Sequence, residues 1–226
     1  LLNPSPDSIT VNWITRVPCG VAIDYRKKGA SEFTRVWKLT YGQIDYGSDL
    51  HTFHLEGLEP GTEYEYRLVS TSDKYFGAYN DVYSGREMHS FKTIDPKRNN
   101  YKVFFTADFH GGARLNLDPM IENSDATDAD FHFFLGDNVE DNMNNARFYI
   151  TFGFLDDICR RWGKNKPTIF VRGNHDIWGR ETYKWGDYYP RRDGKSYFAF
   201  SQGPVLFVVL DSMAMGYGSP VQQQQV

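Results

Sequence analysis

Three short apolar runs, each closed by a polar cluster, constrain this chain more than anything else in its 226 residues. Residues 101–107 end in Asp108-Phe109-His110, residues 131–135 in Gly136-Asp137-Asn138, and residues 168–171 lead through Arg172 to Gly173-Asn174-His175-Asp176. Nearly unbroken hydrophobicity over so few residues is the mark of strands covered on both faces, as in parallel sheets packed by helices. Segments 118–123 and 143–162 read as helical, which makes the order β-α-β-α-β. Two further strands are expected at 196–200 and 205–210. In open sheets of this kind ligands gather beyond the carboxyl ends of the strands, so the three clusters should meet in one crevice.

The residue types in those clusters suit a metal ion. Taken singly, Asp108 or Asp137 would be an ordinary turn residue. Together they offer carboxylate with imidazole, a second carboxylate, and then amide with imidazole, a mixed N/O set that fits manganese, iron or zinc. On extended backbone, residues two apart point the same way, so Asp108 and His110 are expected to face one cation while Phe109 enters the core. Gly136 and Gly173 are expected to permit sharp turns. The remaining histidines, His51, His54, His89 and His132, read as satisfied core or surface groups.

Residues 8–93 have a different texture: short alternating segments rich in Val, Ile, Tyr, Trp and Thr, broken by Gly, Pro and Asp turns. Strands are expected at 8–15, 20–27, 33–39, 50–56, 62–70 and 88–93, forming an all-β sandwich. In the string Leu58-Glu59-Pro60-Gly61-Thr62-Glu63-Tyr64, Pro60-Gly61 makes a turn and Tyr64 occupies the place of a tyrosine corner. That string resembles a fibronectin type III domain of the immunoglobulin-like class. The polar stretch 95–100 ends it, so two domains are expected, 1–96 and 97–226. A net charge of -4 with 25 Lys+Arg in no basic stripe argues against duplex nucleic acid as principal partner. The longest apolar run, 205–210, is far short of the roughly 18 residues of a membrane span. Cys19 and Cys159 fall in different domains, which speaks against a disulfide framework.

The strings Asp108/His110, Gly136/Asp137 and Gly173-Asn174-His175-Asp176, in that order, resemble the calcineurin-like metallophosphoesterase superfamily. With the preceding β-sandwich and the region from Tyr197 to Ser212, the chain looks most like the purple acid phosphatase branch. The resemblance implies an αββα sandwich, of which this chain would hold the first half. It implies two divalent or mixed-valence transition metal ions (Mn, Fe or Zn): Asp108 and His110 on one, Asp137 bridging, Asn174 on the second. His175 would be the non-ligand histidine that protonates or orients the leaving group, with Asp176 orienting that ring or serving the turn, while Gly111-Gly112 would let backbone N–H groups approach a phosphate oxygen and Arg114 would clamp it. The implied activity is hydrolysis of phosphate esters, monoesters favoured over diesters or nucleotides, in a periplasmic or secreted setting. The reading of another class is a binding module, in which the sandwich docks a surface polymer beside an incomplete metal site. Two departures stand out. Purple acid phosphatases carry a tyrosine ligand three positions after the bridging Asp, where this chain has Glu140. Their remaining ligands are histidines farther on, and none follows His175. With Pro220 and the glutamines after it reading as a helix start, the chain is expected to be a fragment of a longer phosphoesterase, inactive by itself.

Overall fold

The computed structural model describes residues 1–71, 82–85, 87–110, 113–139 and 143–213. The first region is all β, with strands β1 (Ser8–Ile14), β2 (Gly20–Lys27), β3 (Thr34–Trp37), β4 (Leu39–Thr40), β5 (Gln43–Ile44), β6 (Leu50–Glu56), β7 (Glu63–Thr71), β8 (Val82–Ser84) and β9 (His89–Lys92). One sheet is the antiparallel pair β1–β6, and the facing sheet runs β3-β2-β7, with β8 and β9 pairing successive stretches of β7. Alternation does the sorting: Ile9 and Val11 of β1, Val21 and Ile23 of β2, Phe53 and Leu55 of β6, and Tyr64 and Tyr66 of β7 all enter one core. Tyr64 is buried and its Oη accepts the Glu59 backbone N–H at 2.9 Å, the tyrosine corner expected of this string. The expected strand 33–39 stops at Trp37, because the chain turns into the tight β4–β5 hairpin.

The second region is layered. β10 (Val103–Thr106), β11 (Phe131–Phe134) and β12 (Thr168–Phe170) form a parallel sheet with β11 in the middle. The antiparallel hairpin of β13 (Phe198–Gln202) and β14 (Val205–Val209) packs on one face and helices pack on the other. β11 reads Phe-His-Phe-Phe and is buried throughout, since Phe131 and Phe133 meet the hairpin while Phe134 joins the helical side. Each such ring contributes about 1.5–3 kcal/mol by leaving water. The first helix, α1, runs Ala113–Glu122, starting earlier than the expected 118. The long helical stretch is Arg147–Leu155 and Cys159–Gly163 in wider π geometry around Asp156–Ile158, preceded by a 3-10 turn at Met143–Asn145. Its buried residues Ile150, Phe154, Ile158 and Trp162 recur every fourth position. An α-helix of about 3.6 residues per turn would carry that stripe around the axis, and the wider winding keeps it facing the sheet.

The two regions are joined by more than covalent continuity. Leu2 bridges both Thr10 of β1 and Thr168 of β12, Tyr66 Oη donates to the Lys164 carbonyl at 2.7 Å, and Asn12 Nδ2 donates to that of Tyr188 at 2.8 Å. Both cysteines are free thiols. No described helix is long and apolar enough to cross a membrane. The expected helix start at 220–226 lies outside the described residues.

Candidate metal centre

Register places the site. Thr106, Phe134 and Phe170 stand side by side at the ends of β10, β11 and β12, so the three following loops leave the sheet at one edge. The loops are then tied to each other through backbone. Asp108 N–H donates to the Gly136 carbonyl at 3.1 Å, His110 N–H to that of Asp137 at 3.0 Å, and His175 N–H to the Asp137 Oδ1 at 2.9 Å. Gly136 and Gly173 touch: a β-carbon on Gly136 would lie 2.6 Å from the Gly173 nitrogen, and one on Gly173 would collide with the Asp137 nitrogen and carboxylate. Gly136 has φ +107°, as a sharp turn demands, whereas Gly173 is required by close approach and not by a left-handed turn.

This packing brings donor atoms of His110, Asp137 and His175 within 4.8 Å of one another, all three half-buried. The His110 and His175 rings meet edge to face at 4.4 Å between centroids. Asp108 lies next to them, its carboxylate oxygen 3.8 Å from His110 Nε2 and largely exposed. Asn174 is exposed one residue before His175. Phe109 is buried against Phe134 and Phe154, as expected. The route to that arrangement differs from the expected one, however. Asp108 and His110 have φ of 59° and 48°, so they face the same way by left-handed backbone and not by strand alternation. Asp137, at φ 51°, shares the conformation. Such angles are uncommon outside glycine and cost energy that the surrounding bonds must offset.

Asp176 supplies part of that restraint. Its buried carboxylate accepts the Gly173 N–H at 2.8 Å, with the Asp137 and Asn138 amides also aimed at it and Asn138 Nδ2 at 3.5 Å. Burial pushes the Asp176 carboxyl up to about 6, with the charge of Asp137 adding to the rise and the backbone donors opposing it. It serves the turns, lacing the loop after β11 to the loop after β12. Sequence reasoning passed over any role for Asn138, which it named only within the second cluster; the residue is fully buried, with Nδ2 also reaching the Val171 carbonyl at 3.2 Å. It likewise passed over Trp178, whose ring lies 4.4 Å from that of His175. The signal for Trp178 was an aromatic three residues past the histidine. Arg172 reaches across to the buried Asp211 after β14, its Nε at 2.8 Å, and anchors the loop from the other side. Arg114 lies in α1, with its side chain outside the described atoms. Gly111, Gly112 and Glu140 are outside the described residues.

The other histidines are structural. His51 Nε2 pairs with Thr15 Oγ1 at 3.0 Å, His132 Nε2 with the Ala126 carbonyl at 2.8 Å, and burial pulls both imidazoles down to about 4. His54 pairs with Thr10, and half-buried His89 packs on Tyr66. A cleft of about 520 Å³ lies between β1, β6 and the 191–200 segment, lined by none of the candidate metal-site residues.

A β-sandwich followed by a parallel sheet with carboxylate, imidazole and amide groups at its carboxyl edge defines a metallophosphoesterase architecture. Residues 101–213 match the family profile of the calcineurin-like phosphoesterases, and the chain belongs to that family. Within it the chain is purple acid phosphatase-like, since residues 1–93 match the purple acid phosphatase N-terminal domain. In fold it is similar to purple acid phosphatase PPD1 from yellow lupin (Lupinus luteus) seeds, at 17% identity and TM-score 0.65 over 98% of this chain and 45% of that one. It is also similar to PhoD, at 15% identity and TM-score 0.57 over 93% of this chain and 50% of that one. The chain thus spans about half the length of these structures. No curated protein matches it at a significant level.

Proposed function

We propose that the intact protein is a metal-dependent hydrolase of phosphate esters, monoesters favoured. The observation that carries this reading is the convergence of His110, Asp137 and His175 donor atoms within 4.8 Å at the carboxyl edge of the parallel sheet. The ligand set, one imidazole from His110 with the carboxylates of Asp108 and Asp137 and the Asn174 amide, is a mixed N/O set that suits a transition cation, with His175 beside it as a further imidazole. In this reading Asp108, His110, Asp137 and the amide oxygen of Asn174 would hold the metal ions. Bound there, a Mn, Fe or Zn pair supplies charge neutralisation for the phosphate and acidifies a water.

The chain's own groups do the rest. Hydrolysis breaks the ester P–O bond, forms another to the water oxygen, and leaves the departing alkoxide in need of one proton. His175 delivers that proton, its backbone fixed by the bond from its N–H to Asp137. Its ring touches His110, so a ligand role is the competing assignment for this residue. The test is His175→Ala in the intact protein. Turnover of an aryl monophosphate is expected to fall by roughly 10²- to 10⁴-fold with metal content retained. Loss of one metal per chain instead would make His175 a ligand. Turnover of the wild type that survives exhaustive chelation would overturn the metal-dependent reading, and faster hydrolysis of a diester than of the matching monoester would overturn the preference.

A further inference from the structure

Trp178 is 47% exposed, although it lies at the centre of the molecule's chemistry. Single exposed apolar residues are ordinary on protein surfaces, so exposure alone means little. What sets this ring apart is how it is held. Its carbonyl accepts the Met143 N–H at 2.7 Å, and its own N–H donates to the His175 carbonyl at 3.3 Å. The next residue, Gly179, has φ +126°, and a β-carbon there would lie 2.7 Å from the Met143 nitrogen. Met143 is itself fully buried, and its carbonyl accepts the Glu181 N–H at 2.8 Å. Trp178 therefore stands on backbone clamped to the start of the long helical stretch, with its indole left largely uncovered.

The ring also touches the proposed acid. The His175 ring packs against both neighbours, its centroid 4.4 Å from that of His110 and 4.4 Å from that of Trp178. If His175 protonates the leaving oxygen, the group attached to that oxygen departs beside the His175 ring, against which the indole packs. A ring attached directly to the leaving oxygen falls within stacking reach of the indole. An indole offers a broad flat face that attracts other planar rings at centroid separations of about 4.5–7 Å.

We propose that Trp178 is the platform for the leaving group, and that the preferred substrates are monophosphate esters of phenols or similar planar aromatic alcohols. This rests on reading the site as a phosphoesterase with His175 as its acid. The test compares the intact, metal-loaded wild type with Trp178→Ala and Trp178→Phe. Phenyl phosphate and glycerol phosphate serve as substrates, and phenylphosphonate and methylphosphonate as non-hydrolysable inhibitors. Trp178→Ala is expected to weaken phenylphosphonate inhibition about 3- to 10-fold relative to methylphosphonate, and to lower kcat/KM for phenyl over glycerol phosphate by the same factor. Trp178→Phe, which keeps a flat ring, should restore most of the preference. Equal loss for phenyl and alkyl compounds, or no change for either, would overturn the platform while leaving the phosphoesterase reading in place. A wild type that hydrolyses neither ester would overturn both. A Trp178→Ala protein that melts early does not rescue the proposal, because the Trp178→Phe ratio must still follow the aromatic partner.

Discussion

In the sandwich, the left-handed turns at Gly29, Gly42 and Gly57 fall on glycine, and a β-carbon added there would meet nothing within 4 Å. At the carboxyl edge of the parallel sheet the same backbone conformation falls on Asp108, His110 and Asp137, which are three of the five non-glycine residues with positive φ among those described. The glycines near them, Gly136 and Gly173, are instead pressed against backbone. In the sandwich most left-handed positions only reverse the chain and fall on glycine, with Asn3 and Tyr41, beside Gly42 in the β4–β5 hairpin, as the exceptions. At the sheet edge the left-handed positions carry the carboxylate and imidazole groups that the proposed metal site would use, and glycine sits where two loops touch. Strain on a side chain that chemistry requires is the usual sign of a site held in place by its surroundings.

That contrast can be broken by substitution. The largest effect is expected for Gly173→Ala, whose methyl would drive into Asp137. A loss of about 3 kcal/mol or more in chemical denaturation, with loss of bound metal, follows from overpacking against backbone that cannot move. A cost below about 1 kcal/mol would mean the two loops are free to separate. Next is Asp176→Ala, which strips the acceptor from buried N–H groups of Gly173, Asp137 and Asn138. About 2–3 kcal/mol should be lost, at the scale of an unsatisfied buried group, and Asp176→Asn should recover part of it. If Asp176→Ala keeps full stability and metal affinity, the lacing of the two loops lies elsewhere.

On the sandwich side, Gly42→Ala should cost only about 1 kcal/mol, the left-handed penalty less the entropy that alanine spares, with metal binding unchanged. An effect as large as that of Gly173→Ala would erase the distinction between open and pressed glycines. The smallest expected effect has the opposite sign. Asp108→Gly relieves a strained φ of 59° and should raise stability by about 0.5 kcal/mol, because the relief slightly exceeds the entropy cost of glycine. The same variant should bind metal more weakly in a titration. Destabilisation by Asp108→Gly would show that the carboxylate supports the fold as well as the site.

Much of the architecture was legible because it is local. Alternation in Ile9 and Val11 or Phe53 and Leu55 marks strands of a sandwich, and the run Phe131 to Phe134 marks a strand buried on both faces. The string from Leu58 to Tyr64 is equally local: the Pro60-Gly61 turn brings the Tyr64 hydroxyl back onto the Glu59 N–H. The helix starting at Ala113 and the π winding of Arg147–Leu155 were not legible, since both answer to what the helix faces across the sheet.

For the site, residue types and order along the chain determined which groups collect at the sheet edge: Asp108, His110, Asp137, Asn174 and His175 each follow a strand, and parallel strands end together. Only the tertiary structure decided how they face one another, through left-handed turns at three of them. The contact of Gly136 with Gly173, the reach of Asp176 to Asp137 and Asn138, and the clamp of Gly179 on Met143 each join residues more than thirty positions apart. Periodicity reports on neighbours in sequence, whereas these contacts exist because buried N–H groups must find acceptors and loops crowded at one edge must fit past each other's backbone.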